Sequence, residues 1–233
     1  MSSKFKFHRR RQGFTLVEML VTMSLMGLVT VGLLRFTIQA LNIYSYDGGR
    51  LMVNKDMRTF TSDLATDAVA SNYFRIYPDF QTRTAPVTDG NSGEFLVLVF
   101  TDTALNDSAD GTIKAGRTLI TQLVGYYRDP FNPTDPTSLG PVRKFDTGLP
   151  GSAHAITSAD QILDLPTLLT NYAPTSSAHS NPIVIQLAQG LADGNLFYDY
   201  YDRSVMIRGQ IVERGNQTKN AVNTYNFTVS PRG

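Results

Sequence analysis

Hydrophobic positions dominate the chain from Phe14 to Leu34. Leu, Val and Met fill this stretch, and Glu18 is its one charged side chain. Its 21 residues, at about 1.5 Å each, make a helix of roughly 31 Å, enough to cross a bilayer. Gly27 and Gly32 lie inside the run. Each weakens the helix relative to alanine but allows a neighbouring helix to approach closely. Arg35 follows at the far end, where its stem can lie along apolar surface while the guanidinium reaches water. A carboxylate inside such a run is costly in hydrocarbon and is by default functional, with a partner to be found.

The pattern then changes twice. Asp47-Gly48-Gly49 predicts a break or kink. Beyond it Val53, Met57, Phe60, Leu64 and Ala68 recur at helical spacing, with Asp56, Arg58, Asp63 and Asp67 largely on other faces. This is an amphipathic helix that packs on a sheet and ends before Pro78. From there apolar runs alternate with turn residues. Strands are predicted over 94–101, 117–128, 142–145, 183–189, 204–213 and 221–229. A short helix is predicted around 159–165, ending before Pro166. Phe95, Val97 and Val99, or their alternates, should meet the helix stripe. Phe197, Tyr198, Tyr200 and Tyr201 form an aromatic cluster that suits a strand or turn, or a contact with a subunit or ligand. The fold class is α+β: a long N-terminal helix packed on a C-terminal β-rich head.

Charge sharpens this picture at the N-terminus. The chain holds 21 Lys+Arg and 20 Asp+Glu. Five of the basic residues, Lys4, Lys6, Arg9, Arg10 and Arg11, precede Gly13, and no acidic residue does. The remainder carries 16 basic against 20 acidic groups, a net of −4. The cluster is a topogenic signal that keeps its side of the helix in the cytoplasm, and it does not read as a nucleic-acid patch. There is no cysteine, so no disulfide holds the head.

The order basic leader, Gly13, Phe14, Thr15, Leu16, Val17, Glu18 resembles the prepilin signal of type IV pilins and type II secretion pseudopilins. A secretory signal would have a shorter apolar core followed by a small-residue cleavage site, and a twin-arginine signal requires neither the Gly-Phe junction nor the glutamate. The resemblance implies that a prepilin peptidase cuts after Gly13 and methylates the amine of Phe14. It implies that the apolar helix anchors the subunit in the inner membrane and later forms the core of a filament. It also implies that Glu18 pairs with the Phe14 amine of a neighbouring subunit. An ammonium and a carboxylate in low dielectric each relieve the other's desolvation, and such a pair fixes register. Gly27 stands near the family's glycine position in this helix, but Arg35 stands where a proline is common. Implied partners are the peptidase, other pilins or pseudopilins and inner-membrane assembly proteins, with the head in the periplasm.

A softer resemblance covers the strand region. Phe-Leu-Val-Leu-Val-Phe, then Thr-Gln-Leu-Val-Gly-Tyr-Tyr-Arg-Asp, then Pro-Val-Arg-Lys-Phe looks like J-type minor pseudopilins and W-type minor pilins. The resulting map is a cleaved leader over 1–13, a membrane and filament-core helix over 14–44 and a head over 45–233. A rival of another class is a membrane-anchored adhesin or sugar-binding head that uses the same export route.

Catalytic chemistry finds no foothold. Residues 111–118 nearly spell a phosphate loop, but Arg117 replaces the lysine and a strand-like run follows where a helix is needed. Asn106, Ser108, Asp110 and Gly111 imitate the start of a calcium loop, but Arg117 stands where its closing glutamate belongs. His8, His154 and His179 have no ligand spacing, and there is no nucleophile elbow. Asp199 and Asp202 are ordinary turn residues on this reading. The chain is expected to be an assembly subunit with no cofactor and no enzymatic activity.

Overall fold

A computed structural model describes residues 14–135, 138–148, 155–190, 194–213 and 221–232. The basic leader with Gly13, together with His154, lies outside the described residues. The chain divides into two compact units, the first ending at Ser45 and the second beginning at Tyr46. Helix α1 (Leu16–Ala70) runs through the boundary. Within the first unit every described residue is exposed.

The predicted break at Asp47-Gly48-Gly49 does not occur, and the backbone stays helical there. Two glycines cost about 1 kcal/mol each in a helix. Packing offsets this: Gly49 is buried and Tyr46, one turn before it, packs against the core of the second unit. From Gly49 the predicted stripe follows, with Val53, Phe60, Leu64 and Ala68 buried and Met57 half-buried. The helix ends at Ala70, where Ser71 turns its hydroxyl back onto the Ala68 carbonyl at 2.8 Å. Asn72 then joins the sheet through its N–H to the Val99 carbonyl.

Among the described residues the strands are β1 (Tyr73–Tyr77), β2 (Ser92–Gly93), β3 (Phe95–Thr103), β4 (Thr118–Arg128), β5 (Gly140–Asp146), β6 (Ile183–Gly190), β7 (Phe197–Tyr200), β8 (Ser204–Glu213) and β9 (Ala221–Val229). All pairings are antiparallel, in the order β1-β3-β4-β5-β6-β8-β7-β2. β6 and β7 share one edge of β8, taking successive parts of it, and β9 pairs along the other edge. The six predicted strands are all present. β1, β2 and β7 come in addition.

Both faces of the central strands are buried. This explains the unbroken apolar run of β3, since a strand covered on both sides has no polar alternate. Leu96 and Leu98 of β3, with Val124 and Tyr126 of β4, meet the α1 stripe. Phe95, Val97 and Val99 face the other way, so the alternates supply the helix side. They pack with Phe80, Tyr127, Phe145, Leu168 and Leu169 in a second core. Two of the last group come from helix α2 (Leu165–Tyr172), which closes that face. The residues expected to form a helix ending at Pro166 make a 3-10 turn at Asp160–Ile162, and α2 starts where the proline stands. Proline fits the first helical turn, whose N–H groups have no intrahelical acceptor. Arg83 holds the other end of α2. It donates to the carbonyls of Leu169 and Ala173 and lies 4.7 Å above the Phe80 ring. A cation there also complements the helix dipole.

Asp67, placed by spacing largely off the apolar stripe, fastens α1 to the sheet. Its Oδ2 accepts from Tyr126 Oη at 2.5 Å and from Lys144 Nζ at 2.6 Å. Burial, and then this bond, push the Tyr126 hydroxyl far above the usual phenol range. Close approach explains one glycine in the sheet. A side chain at Gly93 would strike the Tyr77 carbonyl, so only glycine lets β2 pass β1.

Candidate functional site

Helix α1 is long and apolar enough to cross a membrane. Its start is a capping box, Thr15-Leu16-Val17-Glu18. The Thr15 backbone N–H donates to Glu18 Oε2 at 2.9 Å, and the Thr15 hydroxyl donates to the same oxygen at 3.0 Å. In return the Glu18 N–H donates to Thr15 Oγ1 at 3.3 Å. The Thr15 carbonyl accepts from the N–H of Met19, closing the first turn. Glu18 Oε1 has no hydrogen-bond partner among the described residues. Phe14, next to the box, is 78% exposed. The structure thus brings Phe14 and Glu18 to one helix end and adds Thr15. Reading the glutamate for a partner in another subunit missed the box, although Thr-x-x-Glu before an apolar run is a visible signal.

The helix presents an apolar surface along this whole stretch. Leu16, Met23, Met26, Leu28, Leu33, Phe36 and Leu41 are each at least 60% exposed. So large a contiguous exposure marks a surface made for lipid or for other helices.

The remaining candidates lie in the head. The calcium-like loop is closed on itself. Asp110 Oδ1 accepts from the Ser108 hydroxyl at 2.5 Å, from the Thr112 N–H at 3.0 Å and from the Thr112 hydroxyl at 2.7 Å. These bonds, the Ser108 hydroxyl foremost, hold the carboxyl at about 2. The sign follows: a depressed folded value stabilises the loop above the carboxyl's ordinary 3.8, and that contribution is lost as pH falls toward 2. We expect amide exchange at Thr112 and Ile113 to quicken in that window for reasons beyond intrinsic chemistry. Asp110→Ala should remove that extra dependence; if it persists, another group controls the loop. The phosphate-loop lookalike runs into β4, as its β-branched residues require, and offers no helix N-terminus.

His179 sits against Asp129, with Nδ1 at 2.8 Å from Oδ2, the oxygen that also takes Arg143 Nε at 2.8 Å. Asp89, Asp199 and Asp202 bring carboxylate oxygens within 4.8 Å of one another. Sequence reasoning could not assemble this group, because Asp89 lies on a distant loop. Asp202 is already ion-paired with Arg75 at 2.9 Å, and Asp199 accepts the Asp202 N–H at 3.0 Å. Burial, together with the Asp202 and Asp89 charges, raises the Asp199 carboxyl above its usual range. The aromatic cluster splits. Phe197 is buried in the first core, while Tyr200 and Tyr201 stand exposed at the β7–β8 turn, ring edge to ring face at 5.1 Å.

Residues 8–34 match the family model of the prokaryotic N-terminal methylation motif. No curated protein and no solved structure matches the chain. Over residues 8–34 the chain therefore carries the prokaryotic N-terminal methylation motif, which runs into helix α1, and the long N-terminal helix with the β-rich C-terminal domain makes an α+β fold.

Proposed function

We propose that this chain is a minor pilin or pseudopilin of a type IV pilus or type II secretion filament. The observation that carries the reading is the methylation motif opening directly into an exposed apolar helix. On this reading a prepilin peptidase cuts after Gly13 at the cytoplasmic face, where Lys4, Lys6, Arg9, Arg10 and Arg11 hold the leader. Phe14 becomes the methylated N-terminus. The helix over 14–44 first spans the inner membrane with the head over 45–233 in the periplasm, and later packs among the helices of other subunits. Glu18 receives the Phe14 ammonium of a neighbour. The order of the strand segments supports a J- or W-like subunit, acting with other minor subunits near a filament tip. The function is assembly, and no residue is nominated for catalysis.

Processing gives the direct test. Chain recovered from cells that make a prepilin peptidase should begin at N-methylated Phe14 by intact mass. Gly13→Leu should leave the full precursor in the membrane. Retention of Met1 in the unmutated chain, or a cut beyond residue 30, sinks the reading.

One observation favours a second reading. Tyr200 and Tyr201 are 55% and 63% exposed at one turn, and paired tyrosines on a surface suit a ligand contact, so an adhesin or sugar-binding head remains the rival. Glycan-array binding by the chain, abolished by Tyr200→Ala with Tyr201→Ala, would favour it.

A further inference from the structure

We infer that Thr15 is a positioning residue for the assembly contact: it holds the Glu18 carboxylate by one oxygen and leaves the other free for the neighbouring ammonium. This rests on the reading of Glu18 as the subunit contact.

Thr15 uses both capacities of its hydroxyl on one partner. Oγ1 donates to Glu18 Oε2 and accepts from the Glu18 N–H, while the Thr15 backbone N–H reaches the same Oε2. Valine has the same shape and can make neither hydroxyl bond, whereas serine can make both. Two consequences follow. A lone subunit carries its carboxylate into an apolar setting with two donors already on it, which offsets part of the desolvation cost. A glutamate side chain otherwise samples several rotamers, and ordering it at the moment of association weakens association. Here the ordering is done in advance by the chain itself. Because Oε2 takes both donors, Oε1 can accept a further charge-assisted bond without breaking the box. The capping box is then a stored form of the intersubunit contact and stays intact when that contact forms.

The test uses the full chain in cells that assemble the filament. It compares capture of partner pilins by the cleaved, membrane-inserted fraction, so that slower processing does not enter the ratio. Thr15→Val should lower capture about fivefold, the scale of one lost cap. Thr15→Ser should restore it to within about twofold of the unmutated chain. A cap that merely steadied the helix would act independently of Glu18, so the double variant decides. Thr15→Val with Glu18→Ala should fall no further than Glu18→Ala alone. Thr15→Val at the unmutated level while Glu18→Ala is impaired overturns the role of Thr15 and leaves the function of Glu18 standing. Additive losses overturn it as well, because Thr15 would then act on its own account. Glu18→Ala at the unmutated level overturns the underlying reading together with this one.

Discussion

Phe60→Ala should lower the stability of the head by about 3–5 kcal/mol, the range for emptying a fully buried aromatic site. Phe60 is completely buried and sits where α1 meets both β4 and β9. Its ring touches Tyr126 of β4 at 5.7 Å, Tyr225 of β9 at 6.2 Å and Phe227 of β9 at 6.1 Å, each edge to face. Alanine removes the common partner of three rings. Two of them are bound into the β8–β9 hairpin, so the space cannot collapse without shifting a nine-residue ladder. Denaturant unfolding of the full chain in detergent, followed by tyrosine signals, measures the loss. Leu28→Ala is the control. That side chain is 72% exposed, and its removal should change stability by less than about 0.5 kcal/mol. A loss below about 1 kcal/mol at Phe60 would mean the helix does not bear on the sheet there.

The contrast between Phe60 and Leu28 also shows what the sequence could and could not tell. Helical spacing identified the buried stripe because period and burial agree over Val53–Ala68. The strands of the head were legible for the same reason, as runs of β-branched and aromatic residues between turns. The face assignment within β3 was not. A strand apolar on both faces gives no alternation to read, and a choice off by one residue reverses the face of every side chain. The short β1 escaped notice because Arg75 interrupts its apolar residues. Its stem lies on the sheet while its guanidinium reaches Asp202 across 127 residues, a pairing no local pattern announces. Asp47-Gly48-Gly49 misled because propensity is a weak term beside the burial of Gly49 and Tyr46. At the N-terminus the sequence was most informative. Gly13, Phe14 and Glu18 stand where the prepilin signal they resemble has its glycine, phenylalanine and glutamate, and the methylation motif covers them. Thr15 was equally visible as a cap.

The ion pair between Glu94 and Arg128 is the feature least visible in the sequence, and Glu94→Ala should cost about 3–5 kcal/mol. The side chains are 11% and 1% exposed. Arg128 donates through Nε to Glu94 Oε1 at 2.9 Å, through Nη2 to the same oxygen, and through Nη1 to the Ser138 carbonyl. The pair ties the residue before β3 to the end of β4 and to the loop leading into β5. Beside it, backbone bonds from Asp129 to Pro141 and from Phe131 to Leu139 close the base of that loop, which displays Phe131 at 72% exposure. Removing the carboxylate takes two donated bonds away from a buried guanidinium, and that penalty, more than the lost attraction, sets the size of the effect. Glu94→Leu combined with Arg128→Met should therefore recover most of the loss. Salt should change the cost little, whereas the exposed Arg75–Asp202 pair should contribute no more than about 1 kcal/mol and weaken with salt. Amide exchange at Asp129 and Phe131 reports the local consequence. In Glu94→Ala both amides should lose protection before the β8–β9 ladder does, because the loop is pinned by the pair and the ladder by Phe60. Equal loss at both places would mean the pair supports the whole sheet and has no special hold on the loop that presents Phe131.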